Sequence, residues 1–162
     1  MFDSPGVSLT SKLQFYRAAV LSILLYGAGE SWAPSPPQLH QLDVFNTQCL
    51  RRILRVWWTP EQGLISNDEL HARTQVPPIS LHIKMYRLRW LGHAARGGID
   101  RVVPQLLFAH VVHGDFLSQA RGVRMWLDAA KADVVEFIGS DWYFQCQNRK
   151  AWESAIRTHY IP

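Results

Sequence analysis

Leu88-Arg89-Trp90-Leu91-Gly92-His93 lies inside the longer run from Pro78 to Arg96, and the reading of that run decides the fold. It reads as one helix. Pro78 suits a first helical position, and Gly97-Gly98 stop it. At roughly 100° per residue, Ile79, Ile83, Tyr86 and Trp90 share one face. Leu81, Leu88, Leu91 and Ala95 occupy much of the far side. A helix apolar on two sides is buried between neighbours. Between those sides runs a narrow polar stripe of His82, Arg89, His93 and Arg96. The rest of the chain must therefore supply helices that cover this one.

The covering helices are legible from period and punctuation. Ser8 or Thr10 caps a first helix that runs to about Tyr26, where Gly27 and Gly29 end it. Its second half, from Ala18 to Tyr26, is apolar nearly all round and is expected to be deeply buried. Ser35-Pro36-Pro37 starts a second helix that runs to about Val56 or Trp57. Ser66-Asn67-Asp68-Glu69 opens a short one through about Thr74. Val102 to His110 is a candidate short helix, and His110 to Gln119 is loop-like. Gly122 to about Ile138 is helical by period, with Val123, Trp126, Leu127, Ala130, Val134 and Phe137 as its buried set. Asp141 caps a last helix carrying Trp142, Cys146, Trp152 and Ile156. No segment alternates at period 2 for long, so the fold class is all-α, an irregular bundle of about six to seven helices. The expected division is a leader over 1–7, a helical pair over 8–58, central helices over 59–113 and a C-terminal pair over 114–162, or one continuous domain over 8–158.

Composition narrows the function classes. The 162 residues suffice to bury a real core, and 48% apolar residues with seven tryptophans exclude disorder. A net charge of +4 and a pI near 9.3, carried mostly by arginine, suit contact with phosphate but make a weak field. Two cysteines 97 positions apart make neither a zinc knuckle nor a disulfide framework, and they fit a reducing compartment. The first residues, with Asp3 and Pro5, do not read as a signal peptide. The longest apolar run, Ala18 to Gly29, is about 12 residues, where a membrane span needs about 20. The expectation is an intracellular protein, nuclear or cytoplasmic, with no membrane partner.

No catalytic set is present. The sequence has no Gly-rich phosphate loop, no G-x-S-x-G and no H-E-x-x-H. No adjacent pair of Asp residues could hold two Mg²⁺ ions. His82 and His93 are separated by roughly 16 Å along a helix and cannot share a metal. His110, His113 and Asp115 lack a further ligand, so no metal and no cofactor are expected. The tryptophans at 90, 126 and 152 read as core anchors, and Trp57-Trp58 as the better stacking pair. Arg51, Arg52 and Arg55 fall together on the polar half of their helix, opposite Leu39, Leu42, Phe45, Cys49, Leu50, Ile53 and Val56. Two readings stand for them: they complement the helix dipole in its last turn, or they contact phosphate.

In order along the chain, several segments resemble the region after the polymerase palm in non-LTR (LINE-type) retrotransposon reverse transcriptases. Ser11-Lys12-Leu13-Gln14-Phe15-Tyr16-Arg17 leads into Leu24-Leu25-Tyr26-Gly27 and Glu30-Ser31-Trp32, similar to that family's L-L-Y-G-x-E-x-W. Phe45 and Cys49-Leu50-Arg51-Arg52-Ile53-Leu54 are similar to F-x-x-x-C-L-R-R-I-L. Ile65-Ser66-Asn67-Asp68-Glu69-Leu70 and Arg73-Thr74 follow. Arg87-Leu88-Arg89-Trp90-Leu91-Gly92-His93 is similar to R-R-L-R-W-L-G-H, the most specific piece. Trp126-Leu127-Asp128 and Arg149-Lys150-Ala151-Trp152 resemble the closing elements. The chain departs from the pattern at Gly27-Ala28-Gly29-Glu30, one residue longer, at Ala120-Arg121-Gly122 where Gly-Arg-Pro is usual, and at Asn148 in place of Asp.

The resemblance implies a thumb and helical linker without catalytic activity, the palm of an RNA-directed DNA polymerase lying upstream of Met1. It implies a partner, the backbone of RNA or an RNA–DNA hybrid, read by shape. The candidate contacts are Arg51, Arg52, Arg55, Arg87, Arg89, His93 and Arg96. Arginines in these motifs could equally tie helix to helix. The rival expectations are an orphan or domesticated helical module that binds another protein, and a translated remnant without function.

Overall fold

The structure is a computed structural model that describes residues 6–56, 63, 65–98, 100–102, 104 and 121–159, with side chains from 126 onward in the last segment. Among the described residues it is all-α, as the periodicity predicts, with no β-strand. No described helix is long and apolar enough to cross a membrane. Described residues within Met1–Tyr26 and Pro34–His82 form one compact unit, and those within Gly27–Ala33 and Ile83–Tyr160 form another. The boundary between these units falls inside the central helix.

In the first unit the chain begins with α1 (Leu9–Phe15), a π-helical segment (Tyr16–Leu21) and α2 (Ser22–Leu24). Ser8 caps α1, accepting a hydrogen bond from the Ser11 N–H at 3.1 Å. The helical path was expected to be plain α-helix to Tyr26. Instead the turn widens over Tyr16–Leu21, and Ser22 donates its hydroxyl back to the Ala18 carbonyl. Deep burial of this stretch also fails. Leu21 and Leu25 are buried on one side, whereas Ile23 is 78% and Tyr26 86% exposed. The apolar run is covered by the described chain on only one flank.

The second long helix, α4 (Pro36–Leu54), starts where Ser35-Pro36-Pro37 predicts, and Gln38 Oε1 accepts the Ser35 N–H at 2.8 Å to close a capping box. It ends at Arg55, which is left-handed at φ 56°, rather than at Val56 or Trp57. Helix α5 (Asn67–Thr74) is capped by Ser66, whose hydroxyl accepts from the Glu69 N–H at 3.1 Å. Tyr16, Leu50, Ile53, Leu70, Val76 and Ile79 are among the buried side chains of this unit. A polar thread runs through them: Tyr16 donates to Asn46 Oδ1 at 2.8 Å, and Asn46 Nδ2 donates to the Pro77 carbonyl at 3.0 Å. Burial pushes the Tyr16 phenol up, so it stays a donor.

The central helix is α6 (Ile79–Ala95). Pro78 stands just before it, and its carbonyl takes the His82 N–H at 3.2 Å. Ile79, Ile83, Leu88, Leu91 and Ala95 are buried, while Tyr86 and Trp90 are only partly covered. In the second unit this helix is joined by α3 (Ala28–Ser31), α7 (Arg121–Phe137), α8 (Trp142–Gln147) and α9 (Arg149–Arg157). Trp126, Leu127, Ala130 and Val134 of α7 are buried as predicted, and Gly139 ends the segment at φ 99°. The last predicted helix is in fact two. Asn148 breaks it, and its side chain accepts the N–H groups of Lys150 and Ala151, capping α9. The expected leader over 1–5, Trp57-Trp58, most of the 102–110 helix, and His110, His113 and Asp115 lie outside the described residues.

Candidate nucleic-acid interface

The seven candidate side chains meet different fates, and three of them come together. Arg87 is not at a surface. Its guanidinium donates to Asp133 of α7 at 2.9 Å, both side chains being 5% exposed. Burial raises the Asp133 carboxyl to about 6 despite the neighbouring guanidinium, and it lowers Arg87. The expectation that Arg87 reaches a ligand is corrected: a cation at this depth would be stranded without its carboxylate.

Arg89 forks onto Glu153 of α9, with Nη2 at 2.7 Å and Nε at 3.2 Å, and Arg157 adds a third contact to the same carboxylate at 3.2 Å. Hydrogen bonding from Arg89 holds Glu153 below its usual range. Arg96 donates from Nη1 to the Cys146 carbonyl at 2.7 Å. His93 is exposed. Arg51 is drawn from its expected outward position: Nη2 donates to the Ile65 carbonyl at 2.7 Å and to Asn67 Oδ1 at 2.9 Å. It is therefore the tie between α4 and the start of α5. Arg52 and Arg55 are exposed on the last turn of α4 and beyond.

The Leu88–His93 stretch is built around Trp152 of α9. Its indole is 2% exposed and donates Nε1 to the Leu88 carbonyl at 3.0 Å. It lies directly over Gly92, where an added Cβ would meet Nε1, with Cδ1 at 2.7 Å and Cε2 at 2.8 Å. Gly92 is thus required by the close approach of a ring rather than by backbone freedom. Trp90 packs edge-on against Trp126 with centroids 4.9 Å apart, and Trp126 donates Nε1 to the Gly29 carbonyl at 3.0 Å.

Beyond these ties the second unit carries two adjoining clefts. One, of about 470 Å³, is bounded by Trp90, Ala94, Val102 and Pro104 together with His93, Arg96 and Arg101. The other, of about 350 Å³, is bounded by Arg89, His93, Arg96, Arg149, Trp152 and Glu153. Of the polar stripe read from the helical wheel, Arg89, His93 and Arg96 share one surface, whereas His82 is half-buried and belongs to the first unit. Arg101 and Arg149, which join it, are not among the candidate contacts read from the sequence, although Arg149 stands in the motif Arg149-Lys150-Ala151-Trp152. Each follows a helix break, at Gly97-Gly98 and at Asn148.

Among the described residues no three His, Cys, Asp or Glu side chains gather as a metal site. Burial pushes both the Cys49 and Cys146 thiols up, away from the thiolate that nucleophilic or redox chemistry uses. No protein-family model matches this chain, and no curated protein or solved structure matches it.

Proposed function

We propose that the chain is a non-catalytic helical segment of a reverse transcriptase of the non-LTR retrotransposon type, a thumb and linker that contacts template–primer backbone. One observation carries this reading: segments that resemble that family pair with one another in space. Arg17 of the first donates to the carbonyls of Thr74, at 2.8 Å, and Gln75, at 3.0 Å, beside Arg73-Thr74. Arg51 joins Cys49–Leu54 to Ile65 and Asn67. Trp126 reaches Gly29, and Trp152 reaches Leu88. In this reading most of the motif arginines hold the fold, and Arg52 and Arg55, both exposed at the end of α4, are the backbone contacts to test.

The test is titration of a labelled RNA–DNA hybrid at stepped salt. Two phosphate contacts contribute about 2 to the slope of log affinity on log salt, so Arg52→Ala with Arg55→Ala should flatten it by about that amount. Binding that is absent at low salt, or whose slope the pair of substitutions leaves unchanged, overturns the contact. Nucleotide incorporation by this chain alone overturns the non-catalytic reading. The exposed Ile23 and Tyr26 favour a second reading, a surface that docks another protein, which in the parent polymerase would be the palm.

A further inference from the structure

The cleft beside Trp90 has a chemistry that the helix-to-helix ties do not use. Its apolar wall comes from Trp90 and its neighbours, and His93, Arg96 and Arg101 stand around it. Arg149 faces the adjoining cleft, which shares His93 and Arg96. Among the described residues none of Arg96, Arg101 and Arg149 is paired with a carboxylate. The carboxylate that lines these clefts, Glu153, is already held by Arg89 and Arg157. Arg96 gives Nη1 to a neutral carbonyl, which leaves its charge uncompensated and further N–H groups to donate.

Elsewhere in this unit the arginines of α6 are neutralised by partners reached across the fold. Here the guanidinium groups of Arg96 and Arg101 line one concavity, with His93 beside them, and neither has a carboxylate partner among the described residues. The end of α6 brings a partial negative charge that opposes an anion, but part of it is occupied, because Gly97 N–H bonds the Ala94 carbonyl at 3.0 Å and Arg96 N–H the Gly92 carbonyl at 3.2 Å. A volume of about 470 Å³ suits a small ligand rather than a lone ion. An apolar wall with an indole beside guanidinium forks matches a flat ring that carries a phosphate.

We propose that this cleft binds a nucleotide, its base against Trp90 and its phosphate on Arg101, with Arg96 and His93 beside it. The ligand is either a free nucleotide or an unpaired residue of a single strand; the chemistry is the same. The inference stands on the cleft and not on the retroelement reading, and it uses none of the residues, Arg52 and Arg55, that the hybrid titration tests.

Calorimetric titration of the full chain with adenosine 5′-monophosphate, adenosine and inorganic phosphate separates the terms. The nucleotide should bind more tightly than either part. Arg101→Glu should weaken it about tenfold or more, since a charge-assisted contact is replaced by repulsion. His93→Ala should weaken it less. Both side chains are exposed, and an unchanged urea midpoint for each variant shows that folding is intact. A short single-stranded oligonucleotide that displaces the nucleotide assigns the site to an unpaired strand residue; failure to displace it assigns the site to the free nucleotide. No nucleotide binding, binding no tighter than inorganic phosphate, or an affinity that Arg101→Glu leaves unchanged overturns the proposal.

Discussion

Gly92→Ala is the substitution on which the account of the second unit can be broken. In an exposed helix interior this change stabilises by about 1 kcal/mol, because glycine loses more freedom on folding. At this position the new methyl group would sit against Trp152 Nε1, with Cδ1 at 2.7 Å and Cε2 at 2.8 Å. The indole cannot simply swing away, because it is 2% exposed and tied to the Leu88 carbonyl. Overpacking of this kind costs about 2 kcal/mol, and breaking the Nε1 hydrogen bond about 1 more. Set against the helix gain, the net loss is about 2 kcal/mol. In a Trp152→Ala background the clash is gone, and Gly92→Ala should then stabilise by about 1 kcal/mol. The coupling between the two sites is therefore about 3 kcal/mol, large for a single contact. Urea unfolding of the four proteins, followed by helical circular dichroism, measures it. If two transitions appear, only one should move, since both residues belong to one unit. Equal effects of Gly92→Ala in the two backgrounds, or a gain in the wild-type background, would refute the packing argument.

Three further outcomes are expected. Arg87→Met alone should cost about 3–5 kcal/mol by stranding Asp133, and adding Asp133→Leu should recover most of it; denaturant midpoints of the single and double variants decide. The pH dependence of stability should carry two opposite contributions. Asp133 is raised from 3.8 to about 6, so it takes up a proton on folding, and its contribution is full below the lower value and declines as pH rises to the upper one. Glu153 is held below its usual range by Arg89, so its contribution is present above that range and lost in acid. Unfolding midpoints across pH should lose the first slope in Asp133→Asn and the second in Glu153→Gln. Asn46→Leu should cost more than Tyr16→Phe, because it leaves both the Tyr16 hydroxyl and the Pro77 carbonyl without their buried partner; the same unfolding measurement ranks them.

What the sequence made legible was what neighbours in the chain decide. Ser35-Pro36-Pro37 and Ser66 started helices because a cap needs a partner only three residues on. The period of α7 named its buried face because one side of a helix is one side whatever it meets. Other features have no such local mark. The break at Asn148 is hidden because no Pro or Gly lies between Asp141 and Arg157, and the cap that makes it is a single side chain. The widened turn at Tyr16–Leu21 leaves no mark in hydrophobic phase. Ile23 and Tyr26 looked buried because apolar composition does not say whether a partner lies in the same chain. Arg52 and Arg55 lie on the exposed face that the period predicts, but the use of Arg87 and Arg89 depends on acids 46 and 64 positions away, which no window of helical period contains.

That last distance bears on how a motif is to be read. In Arg87–His93 the glycine makes room for Trp152, Leu88 lends it a carbonyl, and the two arginines hold Asp133 and Glu153. The Arg87 guanidinium is buried on Asp133, and detaching it would cost the fold more than a surface contact returns; Arg89, half-buried, already has its fork on Glu153. The two arginines of this motif are thus occupied within the fold. In the second unit, positive charge without a carboxylate partner among the described residues sits next to them, on Arg101 and Arg149. Ligand chemistry in the second unit therefore lies beside this motif and not in it, where Arg101 faces a cleft and finds no acid among the described residues.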